Sequence, residues 1–297
     1  MGMDINKLKG ILRKQSDSPT GGDITIERRR GGMEKTAFPV SDDIQVETVE
    51  VAGLPAEWIK APEVDTSKAV LYLHGGGYIM GSLNTHRALM GEISRAANAV
   101  VLGLEYRLAP ESPYPIAVND GVAGYKWLVE SGFKPENTAI AGDSAGGGLT
   151  LATLVDLKKE GVELPGVAVC LSPWSDLTCS HETYQTRAEE DPMIQQAGIA
   201  DMAGIYLQGA DATLDTASPN YADLTGLPPL LIQVGDSEVL LGDSQDLHKK
   251  ALDCGVDSTL EVWDEMIHVW QAFHPMLDEG KKAIVRIGEF LQEKWPN

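Results

Sequence analysis

One short stretch constrains this chain more than any other. Thr138-Ala139-Ile140-Ala141 has strand character and runs into Gly142-Asp143-Ser144-Ala145-Gly146, after which Leu149 to Lys158 has helical periodicity. A serine between a strand and a helix sits on a sharp bend, and flanking glycines let the backbone cross without a Cβ clash. The hydroxyl is then exposed at the carboxyl end of the strand. The helix start behind it offers N–H groups and partial positive charge to a developing anion. A phosphate loop is the competing reading, and it fits poorly. No Gly-Lys-Ser/Thr follows, and no Gly-x-Gly-x-x-Gly stands directly after the strand.

The rest of the chain supplies the setting for that bend. Residues 4–15 predict a helix with Ile5, Leu8, Ile11 and Leu12 on one face, followed by a polar, glycine-rich stretch. Arg28-Arg29-Arg30 is the one basic run and reads as a solvated helix face. Two strands at 44–51 and 56–60 predict a half-exposed antiparallel pair. From Ala69 the pattern changes to apolar strands (69–73, 99–105, 138–141, 167–171, 230–234, 258–262) alternating with helices (to about 97, then 116–130, 149–158, 244–252, 276–294). That alternation predicts an α/β protein with a mostly parallel sheet covered on both faces. Residues 180–220 break it: a helix at 195–207 stands where a strand is due, so this segment reads as an insertion over the sheet.

Attack on an acyl carbon needs a nucleophile, a base and oxyanion donors. Ser144 is the nucleophile candidate. His74-Gly75-Gly76-Gly77-Tyr78 follows a buried strand, and its glycines let backbone N–H groups crowd a ligand oxygen. Gly76, Gly77 and Ala145 are the expected oxyanion donors. Six histidines compete for the base. His74 reads as a loop-ordering residue, His86 and His248 as surface residues on helices, His181 as part of the insertion. His268 follows the last strand, where the chain order Ser…acid…His puts the base; His274, read as opening the last helix, is the runner-up. Asp236, Glu238 and Asp243 all follow the strand at 230–234 and all compete for the acid.

Four stretches resemble one family: His74-Gly-Gly-Gly-Tyr78, Glu105-Tyr-Arg-Leu-Ala-Pro-Glu111, Gly142-Asp-Ser-Ala-Gly-Gly147 and Ser172-Pro-Trp-Ser-Asp176 are similar to the hormone-sensitive-lipase-like (bacterial family IV) carboxylesterases of the α/β-hydrolase superfamily. The resemblance runs from about residue 45 to the C-terminus. It implies the α/β-hydrolase fold, an eight-stranded mostly parallel sheet with helices on both faces, and a helical cap. The implied division is a cap segment at 1–45, the catalytic core at 46–180, a cap insertion at 181–220 and the rest of the core at 221–297. It also implies a carboxylesterase for short acyl chains that uses no cofactor and no metal. The family commonly carries its acid in Gly-x-x-Asp-x-Leu; here Glu238 stands three positions after Gly235, which gives a triad of Ser144, Glu238 and His268. Asp236 is the fallback acid. Glu105 and Asp143 carry over only as loop-holding residues.

Composition limits the partners. A formal net charge of −20 argues against binding a nucleic-acid backbone. Cys170, Cys179 and Cys254 form no Cys-x-x-Cys pair and read as reduced thiols, and no histidine pair has metal spacing. No secretory leader or membrane-spanning run is evident, so cytoplasmic residence and no stable membrane association are expected. The partners expected are a small-molecule ester and a second copy of the chain, paired through the edge strand near 258–262. An amidase or formamidase and a long-chain lipase remain alternatives on the same machinery. A non-catalytic small-ligand receptor is disfavoured, because receptors resembling this family lack the histidine.

Overall fold

The structure, a computed structural model, describes residues 2–16 and 25–296. The glycine-rich stretch expected after the first helix falls largely on 17–24, outside the described residues. The chain begins with α1 (Ile5–Ser16) and α2 (Ile26–Glu34), the latter capped by Thr25, whose side chain accepts the Arg28 N–H. An antiparallel hairpin follows, β1 (Gln45–Val51) and β2 (Leu54–Lys60). Alternation then takes over: β3 (Asp65–Leu73), α3 (Leu83–Ala97), β4 (Ala99–Leu104), α4 (Ile116–Glu130), β5 (Thr138–Asp143), α5 (Ala145–Lys159) and β6 (Val167–Leu171). The predicted insertion holds α6 (Thr183–Thr186) and α7 (Gln196–Leu207). The chain closes with β7 (Leu230–Gly235), α8 (Leu241–Asp253), β8 (Ser258–Trp263) and α9 (Asp278–Lys294).

The strands form one eight-stranded sheet in the order β1-β2-β4-β3-β5-β6-β7-β8. β3 to β8 run parallel; β2 is antiparallel to both its neighbours. Side chains alternate across the pleat, so one strand feeds two cores. Leu71 and Leu73 of β3 join Leu149, Leu154 and Leu247 on one face, while Val70 and Tyr72 join Leu89, Ile93, Ile287 and Phe290 on the other. Each fully buried Leu or Ile is worth about 1.5–3 kcal/mol against exposure, so both faces must be covered for the sheet to persist. A third, smaller cluster packs Ile5 and Leu8 of α1 on Met266, Ile267, Trp270 and Leu277, which brings the N-terminal helix onto the loop after β8.

The carboxyl ends of β3, β5, β7 and β8 open on one rim, where ligands bind in open α/β sheets. The arginine run does more than face solvent. Arg29 pairs with Asp201 of α7 at 2.8 Å, and Arg30 donates to the carbonyls of Ile79 and Ala109 and to Glu111. Expected as a solvated face, α2 instead ties α7 to the loop after β3.

Candidate active site

The bend after β5 has the geometry its glycines predict. Ser144 holds φ 54°, ψ −121°, a sparsely populated conformation for a non-glycine residue. Its N–H donates to Leu171 O at 2.8 Å, and its carbonyl accepts the Trp174 N–H at 2.9 Å. The flanking glycines are sterically required: a Cβ on Gly142 would lie 2.2 Å from Gly146 O, and one on Gly146 would lie 1.9 Å from Leu73 O.

Three predicted side chains meet at this bend. Ser144 Oγ lies 2.9 Å from His268 Nε2, and His268 Nδ1 lies 2.9 Å from Glu238 Oε2. Glu238 is fully buried and His268 is 4% exposed. The other Glu238 oxygen accepts the Gly235 N–H at 2.6 Å and the Ser172 hydroxyl at 2.7 Å. Burial opposes a charged His268, yet the bond and charge of Glu238 outweigh it, so the imidazole is held above its ordinary value of 6.5. Burial likewise pushes the Glu238 carboxyl up, with His268 the chief opposing influence.

The competing acids have other work. Asp236 accepts the Glu265 N–H at 2.7 Å and joins the loop after β7 to the loop after β8. Asp243 is buried on α8, accepting the Asp176 N–H and the Tyr184 hydroxyl, both at 3.2 Å. Burial, reinforced by the Asp176 charge, pushes its carboxyl well up.

The glycine loop after β3 is held from below by Asp143. Its Oδ1 accepts the Gly75 N–H at 3.1 Å and the Tyr72 hydroxyl at 2.8 Å. Gly75 is thereby engaged, and Gly76 and Gly77 follow it with φ 119° and 63°. Above the loop, Met202 of α7 lies against Gly77, where an added Cβ would come within 2.3 Å of its Sδ. One turn on, Tyr206 stacks on Tyr78 with ring centroids 3.9 Å apart.

The histidines sort differently from expectation in two places. His86 is not a surface residue: it is 5% exposed, with Nε2 3.3 Å from Asp143 Oδ2. The other is His274, which ends a 3-10 turn at Trp270–Phe273, four residues before α9, so it does not open the last helix. His74 orders its loop as expected, with Nδ1 2.8 Å from Gly75 O and its ring stacked on Tyr106. Burial keeps it neutral, down to about 4. His248, half-buried, bonds Ser258 Oγ, and His181 bonds Thr183 within the insertion.

Ser172 is a residue sequence reasoning missed. Its hydroxyl donates to Glu238 and accepts the Val269 N–H at 3.1 Å, so one oxygen joins the acid to the histidine loop. Its φ of 44° marks a backbone held by its surroundings. The only signal was its place at the head of Ser172-Pro-Trp-Ser-Asp176.

Among the described residues, no three His, Cys, Asp or Glu side chains group as a metal site. A serine hydroxyl, a buried imidazole paired with a carboxylate and a glycine loop are the groups that acyl transfer uses.

Comparison with known proteins agrees with this chemistry. A family profile described as the alpha/beta hydrolase fold matches residues 70–272. An acetyl-hydrolase of Streptomyces hygroscopicus is 47% identical over 269 residues, covering 91% of this chain and 88% of the relative. The crystal structure of EstE5 soaked with p-nitrophenyl butyrate is 59% identical, with a TM-score of 0.96 and 99% of each chain covered. A crystal structure of an esterase from the bacterial hormone-sensitive lipase family is 47% identical, with a TM-score of 0.95 and 100% of each chain covered.

Proposed function

The chain is a hormone-sensitive-lipase-like serine carboxylesterase of the α/β-hydrolase superfamily, and from that premise we propose that it hydrolyses short-chain acyl esters through a Ser144–His268–Glu238 triad and an acyl-enzyme intermediate. The observation that carries the reading is the continuous Oγ–Nε2, Nδ1–Oε2 chain at 2.9 Å per link. Ser144 Oγ attacks the ester carbonyl while His268 Nε2 takes its proton. Glu238 fixes the tautomer and stabilises the imidazolium. The N–H groups of Gly76, Gly77 and Ala145 receive the oxyanion; each such donor is worth about 3–4 kcal/mol in the transition state. His268 then protonates the leaving alcohol, and a water that it deprotonates clears the acyl group from Ser144.

The packing of α7 on the glycine loop, Met202 against Gly77 and Tyr206 on Tyr78, supports a preference for short acyl chains. EstE5, similar along its whole length, was soaked with a butyryl ester. In this reading residues 1–45 and 181–220 form the cap, and 46–180 with 221–297 form the catalytic core. Among the described residues no helix is long and apolar enough to cross a membrane. Cytoplasmic residence is supported by three free cysteines, two of them buried. The open edge of β8 is the proposed contact between two copies.

The deciding experiment is hydrolysis of p-nitrophenyl esters from acetyl to palmitoyl by the wild type, Ser144→Ala and Glu238→Gln. We expect activity to peak at short chains, to vanish in Ser144→Ala, and to fall by orders of magnitude in folded Glu238→Gln. A maximum at long chains would make the protein a lipase. Near-wild-type Glu238→Gln alongside inactive Asp236→Asn would move the acid to Asp236.

A further inference from the structure

The inserted segment also reaches the acid side of the triad. Asp191, between α6 and α7, is 3% exposed. Its Oδ1 accepts the N–H groups of Met193 and Ile194, both at 2.9 Å, and so closes its own turn. Its Oδ2 leaves that turn and accepts the Val239 N–H at 3.0 Å, 48 positions along the chain. Val239 is the residue directly after Glu238.

We propose that Asp191 is a positioning residue for ester hydrolysis: its carboxylate fixes the peptide on which Glu238 stands and adds negative charge beside the His268 imidazole. This rests on the triad reading above. Glu238 is held at Oε1 by Gly235 and Ser172, and Asp191 holds the peptide that follows it, so the carboxylate keeps one approach to Nδ1. α1 closes the same corner. Arg13 donates to the carbonyls of Glu189 and Glu190 at 3.0 and 3.3 Å, and Lys9 Nζ donates to Ser237 Oγ at 2.8 Å. One helix therefore grips both sides of the Asp191–Val239 contact.

A neutral acceptor would satisfy the Val239 N–H. Burying a carboxylate costs more than burying a neutral group, and the three backbone N–H bonds offset that cost here. A use for the charge lies alongside: His268 becomes cationic in each half-reaction. The carboxylates acting on it come from three elements, Glu238 after β7, Asp191 in the insertion and Asp143 at the end of β5, and all favour the imidazolium against burial. On the loop's own side Glu265 is exposed, and Asp236 is occupied by the Glu265 N–H. The basic groups of α1, Lys9 and Arg13, point to Ser237 and to backbone carbonyls, and His86 is paired with Asp143.

The test is the pH dependence of kcat and kcat/KM with p-nitrophenyl butyrate for Asp191→Asn and Asp191→Ser, each alone and combined with Glu238→Gln. The serine variant keeps a hydroxyl acceptor for the Met193–Ile194 turn if the asparagine amide disturbs it. We expect kcat to fall roughly ten- to hundred-fold with little change in KM, as for a slightly misplaced catalytic group. The acid limb of kcat/KM should move to lower pH, because losing a nearby negative charge disfavours the imidazolium. In the Glu238→Gln background the loss of kcat should be much smaller, since the positioning acts through Glu238, while the shift of the acid limb, which comes from the Asp191 charge itself, should persist. A purely structural role would lower the melting temperature and the active fraction without moving the limb. Folded variants with wild-type kcat and an unmoved limb overturn the proposal. Failure of both to fold overturns it too, because Asp191 would then be a structural residue. Wild-type turnover by Glu238→Gln alone would sink the triad reading itself, whatever Asp191 does.

Discussion

Asp143, directly before Ser144, and His86 form a buried pair, with the Gly75 N–H and the Tyr72 hydroxyl on the same carboxylate. Burial opposes both charges. The pairing outweighs it, holding His86 above 6.5 and Asp143 below 3.8. Asp143 therefore contributes stability above its unfolded value that is lost as pH falls through its folded one. His86 contributes stability below its unfolded value that is lost as pH rises through its raised folded one. The pair is fully effective only between those limits. His86→Ala leaves the carboxylate buried without its partner, an arrangement that costs about 3–5 kcal/mol. Denaturant titration at neutral pH should show that loss, and the gap to wild type should narrow at alkaline pH, where His86 is already neutral. An equal gap at both values would remove the ion pair from the explanation. Little of this was legible in the sequence. Ser144 shows in its glycine frame and His268 in chain order, but Glu238 needed the family resemblance to separate it from Asp236 and Asp243. His86, Ser172 and Asp191 meet their partners 57, 66 and 48 positions away, and no local pattern carries such a contact.

At the scale of elements, α7 packs over the glycine loop. Met202 and Tyr206 are four residues apart, so they share a helix face and descend together on Gly77 and Tyr78. Arg29 of α2 holds that helix from outside through Asp201. Trimming Met202 to alanine opens depth above the glycine loop without touching the triad. Met202→Ala should move the preferred p-nitrophenyl ester to a longer acyl chain, each added buried methylene contributing about 0.8 kcal/mol of binding. An unchanged chain-length profile would place the acyl group elsewhere. The elements themselves were largely readable: α4 at 116–130 and β6 at 167–171 lie where periodicity puts them. The sequence places the start of α5 at Leu149, past the weak helix formers Gly146, Gly147 and Gly148, but the helix starts at Ala145. Packing overrides that weakness. A Cβ on Gly148 would lie 2.1 Å from Trp174 O, so the helix approaches as closely as it does only with glycine there.

For the whole molecule, the strand–helix alternation gave the sheet and both its covered faces, and it left two edges. β1 is one of them, and it carries Glu47 and Glu50 exposed, charges that discourage further pairing. β8 is the other. Its Glu261 is drawn to Arg286 at 2.7 Å, and Val262 is 41% exposed. Two copies paired antiparallel along β8 across a two-fold axis would join their sheets and satisfy the outer N–H and C=O groups. Two chains of net charge −20 repel one another, and added salt screens that repulsion. Light scattering coupled to size exclusion should therefore find a dimer at micromolar concentration that strengthens with ionic strength. Val262→Lys sets like charges facing across the pair and should give monomers with esterase activity intact, since β8 reaches the site only through the loop bearing His268. A wild-type monomer in high salt would remove the β8 pairing, and a dimer undisturbed by Val262→Lys would assign the contact to another face.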